Sequence, residues 1–254
     1  MPGTGRFRRF RKKVKKSSKT PKMSFDKRVL RAIDRQREMK VVTYSAGLTI
    51  PNVISNTAPL RIMPPVPQAG NSGASSATAQ EFYRDGNQIL LKKVVIRYWF
   101  TMKTPVDPAN SKAIVRHMIV RQKDSDAQQI LLNTTFKDGQ LLENSSQFIG
   151  NIQSLQTPIN KAAFAKRMDK RHYLSSPTLN QAQLDVDGDQ VNAFKMGQKT
   201  LTFGEGKRLV FGTGGEPDAI NFPYFMVLGS ASPSGTLVTG LEFYYTATAY
   251  FYDS

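Results

Sequence analysis

Alternation of apolar and polar residues dominates the chain from residue 41 to the C-terminus, and a period of two predicts β-strands. The clearest long run extends from Ile89 to Lys103. One of its faces consists of Val94, Ile96, Tyr98, Phe100 and Met102. The opposite face consists of Lys93, Val95, Arg97, Trp99, Thr101 and Lys103. We therefore predict a long strand that buries its apolar face.

The C-terminal run, 238–252, alternates with equal regularity. One face carries Leu241, Phe243, Tyr245, Ala247, Ala249 and Phe251. The other face carries Glu242, Tyr244, Thr246, Thr248, Tyr250 and Tyr252. A strand with two such distinct faces is expected to pair inside a sheet. Shorter runs predict further strands at 41–50, 113–121, 168–175, 194–203, 207–211 and 222–230.

These eight strand candidates define the predicted fold class. Turn residues separate them, no repeat of fixed period is present, and long strands with long connections are typical of a jelly roll. We predict an all-β chain: a single eight-stranded jelly-roll β-sandwich with a disordered basic N-terminal arm and a short N-terminal helix. The Pro-, Gly- and Ser-rich stretch 51–80 is predicted to be a long surface loop. A helical turn is predicted near Ile159 to Lys166.

The N-terminal region lacks this alternation. Residues 1–23, here called the arm, have too little apolar surface to offset the entropy of ordering, so we predict disorder. In 24–38, Ser24 can cap a helix whose apolar residues share one face, namely Phe25, Val29, Leu30 and Ile33. The predicted organisation is a disordered arm at 1–23, a short amphipathic helix at 24–39 and a jelly-roll domain at 40–254.

Positive charge is concentrated at the N-terminus. Residues 1–40 contain 16 of the 36 Lys and Arg residues and 3 of the 19 acidic residues, which gives 16 − 3 = +13. The remaining 214 residues carry (36 − 16) − (19 − 3) = +4 of the net charge of +17. Such an excess attracts polyanions, nucleic acid first and an anionic membrane surface second. The distribution assigns this attraction mainly to the N-terminal region.

The arm has the composition of a nucleic-acid-binding segment. Phosphate binding needs many closely spaced cations without fixed geometry, because affinity arises mainly from counterion release. Phe7 and Phe10 add rings on which unpaired bases can stack. A solvated tail that aids solubility is the alternative, and Arg8 to Lys16 also fits a nuclear localisation signal read by import receptors. The predicted binding residues of the arm are Arg6, Arg8, Arg9, Arg11, Lys12, Lys13, Lys15, Lys16, Lys19 and Lys22.

Lys93 and Arg97 extend the predicted binding surface to the domain, because both lie on one face of the long predicted strand. One interpretation is a folded basic wall that continues the phosphate-binding surface of the arm. The other is a pair of cations whose stems cover the margin of a sheet while their charges remain in water. The sequence leaves these two interpretations open.

An acidic segment is a weak candidate for a metal site. Asp185, Asp187 and Asp189 alternate, and alternate carboxylates can converge on one hard cation. Counted from Asp185, however, the sixth position of a calcium loop is Gln190 instead of Gly, and the twelfth is Met196 instead of Glu. A solvated acidic turn is the favoured interpretation, and no metal or cofactor is predicted.

Signals for catalysis are weak, and we expect a protein without enzymatic activity. His117 and His172 are the two histidines, and neither has the spacing of a nucleophile or metal site. The glycine clusters at 204–206 and 212–215 lack the Lys-Ser/Thr and the following helix of a phosphate loop, so we interpret them as hairpin glycines. Because the chain has no cysteine, it has no disulfide. It also lacks an apolar run of about 20 residues and a signal peptide, so we expect no membrane insertion and a cytosolic or nuclear location.

A short stretch and the overall organisation together resemble a viral family. The stretch from Arg84 to Tyr98 reads RDGNQILLKKVVIRY and is similar to the pattern R-x-G-x-x-I-x-x-K-x-x-x-I-R. This pattern, behind an Arg-rich arm, resembles the capsid proteins of small circular Rep-encoding single-stranded DNA viruses, the circovirus-like group. The predicted helix at 24–38 departs from many of these capsids and resembles instead the arm helices of some satellite plant-virus coats, which hold RNA.

The resemblance implies a coat subunit that self-assembles with its arm inside an icosahedral T=1 shell of sixty copies. It implies nucleic acid as the partner, with single-stranded DNA favoured over RNA, and a location in the virion and in the host nucleus during assembly. A cellular nucleic-acid-binding protein of ribosomal or chromatin type is an alternative function. An enzyme with a basic targeting tail is another.

Overall fold

A computed structural model describes residues 25, 38–69, 82–102, 112–175, 194–233, 238 and 240–253. Residues from Glu38 to Ser254 form one compact unit. The predicted arm lies outside the described residues, as does most of the predicted helix at 24–39. Of that helix, Phe25 is helical and 78% exposed, whereas Glu38 and Met39 are not helical. The acidic segment 185–189 lies outside the described residues as well.

The first sheet contains four antiparallel strands. In chain order they are β1 (Lys40–Thr49), β3 (Gln88–Met102), β6 (Phe194–Val210) and β8 (Leu241–Asp253). Their order across the sheet is β1-β8-β3-β6. The two most regularly alternating segments of the sequence, β3 and β8, therefore lie side by side at the centre of this sheet.

The second sheet is also antiparallel and has four strands in the order β2-β7-β4-β5. These are β2 (Leu60–Arg61), β4 (Lys112–Gln122), β5 (Phe164–Ser175) and β7 (Phe225–Ala231). The helices within the described residues are short: α1 (Ala127–Asn133), α2 (Ile152–Gln156), and 3-10 turns at Asp138–Gln140 and Glu143–Ser145. The prediction of an all-β domain is confirmed.

The core lies between the two sheets. The predicted apolar face of β3 is buried along its length, and that of β8 is buried with it. Phe100 and Phe243 pack at 5.0 Å between ring centroids, and Tyr98 contacts both rings. The assignment of inward and outward residues on these two strands is therefore confirmed. Burial of such rings is the main favourable contribution to the stability of the sandwich.

One strand was predicted as two. The predicted strands 194–203 and 207–211 are parts of the single strand β6, which pairs with β3 on both sides of an irregularity between Leu91 and Lys93. Gly204 and Gly206 have φ values of +61° and +123°, which glycine adopts without strain. The interpretation of these glycines as a hairpin turn is therefore wrong. They allow the strand to continue past the irregularity.

The predicted surface loop at 51–80 is also wrong in its first half. Ile54, Ile62 and Val66 are buried, and the two-residue strand β2 lies between them in sequence. The segment therefore contributes to the core instead of crossing the surface. The helical turn predicted near Ile159 to Lys166 is misplaced, because the helix is at Ile152–Gln156 and β5 begins at Phe164.

Candidate nucleic-acid interface

Lys93 and Arg97 both lie on the outer face of the first sheet, as predicted, because β3 directs alternate residues away from the core. Register places Lys93 between Tyr250 of β8 and Thr202 of β6. It places Arg97 between Thr246 and Gln198. Arg97 is exposed and Lys93 is half-buried. The two cations are thus held by the central strands of a sheet.

Aromatic rings of β8 lie beside these cations on the same face. The Lys93 ammonium lies 4.3 Å from the centroid of the Tyr250 ring. Lys92, displaced at the irregularity in β3, lies 5.3 Å from the centroid of Tyr252 and donates a hydrogen bond to the carbonyl of Glu205 at 2.6 Å. Ring faces attract cations, so these contacts position both ammonium groups along the sheet.

A second aromatic pair lies further along the face. Trp99 and Tyr244 are cross-strand neighbours, and their rings stack with centroids 5.5 Å apart and an angle of 19° between planes. The Tyr244 ring extends over β1 at Gly47, where an added Cβ would lie 2.5 Å from a ring carbon. Glycine at that position therefore makes room for the ring to lie against the sheet.

The outer face of the second sheet is different, because chain segments cover it. Arg116 is fully buried there and forms a bidentate ion pair with Asp169. The same guanidinium donates to the carbonyls of Ser154 at 2.6 Å and Thr157 at 2.7 Å. On the first sheet, by contrast, the outward side chains Thr43, Ser45, Arg97 and Met196 are exposed. The first sheet therefore has exposed side chains around Arg97 on its outer face, where Val95, Thr248 and Tyr252 are buried between them.

Arg84, the first residue of the recognised pattern, is buried and serves the fold. Its guanidinium donates to the carbonyls of Val66, Gly86 and Glu216 and to the side-chain oxygen of Asn87. It also lies 4.4 Å from the centroid of the Phe211 ring. An arginine in this position joins the start of β3 to two connecting segments and is not accessible to a phosphate.

A basic edge of the sandwich was not predicted as a site. β5 and β6 are edge strands of their respective sheets, and both carry several cations. The signal in the sequence is the repeated Lys-Arg pair at 166–167 and 170–171, next to His172. Charged edges also prevent strands from pairing with other chains. The exposed cations of these two strands are Lys166, Arg167, Lys170, Arg171, Lys195 and Arg208.

His117 and His172 lie in the core, 0% and 6% exposed. His117 is 4.6 Å from Tyr98 between ring centroids, and His172 is 4.7 Å from Phe100. The predicted binding residues of the arm and the acidic segment lie outside the described residues. Within the described ranges, no three His, Cys, Asp or Glu side chains are grouped to hold a metal ion. No helix in that part of the chain is long and apolar enough to cross a membrane.

Comparison with known proteins gives no family for the chain. No protein-family model matches the sequence. No curated protein matches it either. The function must therefore be argued from the residues and from the geometry of the sheets.

Proposed function

We propose that this chain is the coat subunit of a small virus, a jelly-roll protein that assembles into a closed shell and packages nucleic acid through its arm. The observation that carries the proposal is the pairing of strands in a domain that follows an arm with ten cations and no acidic residue. β1 pairs with β8, β2 with β7, β3 with β6 and β4 with β5. This is the pairing expected of one long hairpin wrapped into two sheets.

Such a wrapped hairpin supports a single eight-stranded jelly roll. Two further pairs, β3 with β8 and β4 with β7, close each half into a four-stranded sheet. Jelly rolls are used by viral capsids, lectins and cupins. The strongly basic N-terminal region distinguishes the first of these uses, because lectins and cupins do not require a polyanion partner. We propose membership of the circovirus-like group on the resemblance of 84–98 and the arm.

Exposed apolar side chains on the domain support self-association. Val53, Ile149 and Ile152 are 44%, 53% and 44% exposed. Gly150, between Ile149 and Ile152 in sequence, packs against the backbone of Asn52, which precedes Val53; a Cβ added to Gly150 would lie 2.8 Å from the Asn52 carbonyl oxygen. Clustered apolar residues on a surface favour contact with another protein. We propose that this cluster lies between subunits.

Charge balance supports an arm that faces the interior of the shell. Sixty copies of a +13 N-terminal region would bring together roughly 780 positive charges. Enclosed nucleic acid provides one negative charge per phosphate and neutralises them. Outside the shell, the same charges would repel one another and bind any polyanion. The proposed partners are therefore a viral genome, with single-stranded DNA favoured, and further copies of the chain.

Electron microscopy of the purified full chain tests the proposal. Closed particles of uniform size are expected, and nuclease digestion of the extracted nucleic acid identifies it as DNA or RNA. In intact particles, cleavage by trypsin after Arg6 to Lys22 should be slow, and it should become fast after disassembly. Monomers that remain monodisperse with and without nucleic acid would indicate a cellular nucleic-acid-binding protein instead. Rapid loss of the arm from intact particles would contradict its placement inside.

A further inference from the structure

The stacked pair Trp99–Tyr244 has the composition of a base-binding platform. Trp99 is the single tryptophan of the chain. Its cross-strand neighbour on β6 is Met196, which is 71% exposed. Both residues of the pair are half-buried, so part of each side chain remains accessible. An apolar, aromatic surface of this kind can accept the flat face of another ring.

Cations lie at strand spacing from this pair. Arg97 is two residues from Trp99 on the same face, about 7 Å away along the strand. Lys93 is six residues from Trp99 on the same face, and its ammonium lies over the Tyr250 ring. At the opposite end of the face, Glu242 accepts a hydrogen bond from the Tyr244 hydroxyl at 2.9 Å. Cations therefore lie on one side of the aromatic pair, and a carboxylate that accepts a hydrogen bond from Tyr244 lies on the other.

We propose that this face of the first sheet binds unpaired nucleotides of a single strand. This inference rests on the proposed packaging function and specifies its substrate. Bases stack on the Trp99–Tyr244 pair, while Arg97 and Lys93 neutralise the flanking phosphates. Stacking on aromatic side chains tolerates any base, because every base has a flat face, and it requires that the base be free of its own neighbours.

A duplex fits this face less well. Its bases are stacked on one another, so only phosphates and groove edges could reach a flat sheet. No base of a duplex would be free to stack on the aromatic pair. A second copy of the chain or an acidic peptide could also cover an aromatic surface. The cations beside the rings favour a polyanion that itself carries rings, and single-stranded nucleic acid combines these two properties.

Because Trp99 is unique, its fluorescence reports on this face alone in the full-length chain. The probe is a 20-nucleotide deoxythymidine strand with a dye at one end, titrated into unassembled subunits at about 0.5 M salt, which screens the arm. Dye anisotropy measures total binding, and tryptophan fluorescence measures contact with the platform. A 20-base-pair duplex is the comparison at equal phosphate concentration. Quenching that saturates with the single strand, and is much smaller with the duplex, is expected.

Variants assign the signal to the platform. Arg97→Ala should weaken binding of the single strand and reduce the quenching, whereas Lys161→Ala removes an exposed cation beside the other sheet and should change neither. Trp99→Ala should weaken binding measured by anisotropy about tenfold, and Trp99→Phe should retain most of the affinity. If Trp99→Ala fails to fold, the quenching of the wild type and the comparison of Arg97→Ala with Lys161→Ala still test whether nucleotides bind at the platform.

The outcomes separate this inference from the proposed function. Anisotropy that rises without tryptophan quenching would overturn the platform and leave packaging by the arm intact. Equal quenching by single strand and duplex would overturn the preference for unpaired bases. No binding of either probe at low salt would overturn the packaging function itself.

Discussion

His117 and His172 lie side by side in the core, with ring centroids 5.8 Å apart, on adjacent strands of the second sheet. Tyr98, Phe100 and Phe243 of the opposite sheet pack against them. His117 Nε2 lies 2.9 Å from the sulfur of Met226, while its Nδ1 and both ring nitrogens of His172 are buried without a hydrogen-bond partner. Among the described residues, neither ring therefore has an acceptor other than the Met226 sulfur that would stabilise its protonated form.

Acid should destabilise the domain through this pair. Burial, together with nearby Lys195 and Lys170, lowers the pKa of His172 to about 4. Burial also holds the pKa of His117 well below its usual value of 6.5, with His172 and Lys170 contributing. Below pH 6.5 the unfolded chain gains protons that the folded chain does not, so stability falls as the pH decreases toward 4. We expect a loss of about 2 kcal/mol from His172 between pH 7 and pH 4.5, measured by urea unfolding.

The control is His172→Phe, which keeps an aromatic ring and removes the proton site. Its stability should vary less with pH across the same interval, because one depressed pKa is gone. Equal pH dependence in the variant and the wild type would contradict the assignment. At about pH 8 and higher, well above the unfolded-state pKa, both histidines are neutral in both states, so no difference in slope is expected there.

Arg84→Met should destabilise the domain strongly. The substitution keeps much of the side-chain volume but leaves three carbonyls and the Asn87 oxygen without their donor, and a buried acceptor without a partner is costly. We expect a loss of about 3 kcal/mol or more in the free energy of unfolding. Arg97→Met, at an exposed position, is the matched control and should change stability by less than about 0.5 kcal/mol. Similar stability of both variants would exclude an anchoring role for Arg84.

Replacing the four arginines of the arm should weaken nucleic-acid binding for every sequence alike. With Arg6, Arg8, Arg9 and Arg11 changed to Ala, we expect the slope of log affinity against log salt to decrease by about 3 for a single strand, since each phosphate contact contributes about 0.7. Competition between oligonucleotides of different sequence measures whether the affinity decreases equally for every sequence. A strong preference for one sequence, or an unchanged slope, would refute non-specific phosphate binding by the arm.

Ile149→Ser should reduce shell assembly without unfolding the subunit. The side chain is 53% exposed, so its loss removes little from the core and mainly alters the proposed contact between subunits. Particle yield by sedimentation should decrease, while the thermal midpoint of the unassembled subunit should stay within about 2 °C. Val227→Ser, in the buried strand β7, is the contrasting variant and should lower the midpoint. An unchanged particle yield for Ile149→Ser would show that the apolar cluster does not lie at a contact between subunits.

The sequence predicted β3 and β8 well because their alternation directly reflects one fully buried face and one face that is mostly half-buried. It failed where one residue type has two meanings. Gly204 and Gly206 indicate a hairpin as readily as an irregularity inside a strand, and only pairing with β3 distinguishes them. The two residues of β2 are too few to show a period, so the buried side chains around them were assigned to a loop.

The candidate site was predicted in part for a similar reason. Lys93, Arg97 and Trp99 lie on one strand, and their shared face follows from a period of two. Tyr244 and Tyr250 lie about 150 residues later in the chain, and they reach the same face only because β3 pairs with β8. Local periodicity carries no information about which strands are neighbours, so the aromatic half of the surface required the register of the sheet.

The pairing of β1 with β8 also determines when the domain can form during synthesis. Lys40 lies opposite Phe251, so the first strand has no partner in its own sheet until the last strand has been made. At about 5 to 20 residues per second, translation of the 210 intervening residues takes about 10 to 40 s. The basic N-terminal region leaves the ribosome at the beginning of this interval. Each new chain therefore presents its charged end to the surroundings well before its sheets can close.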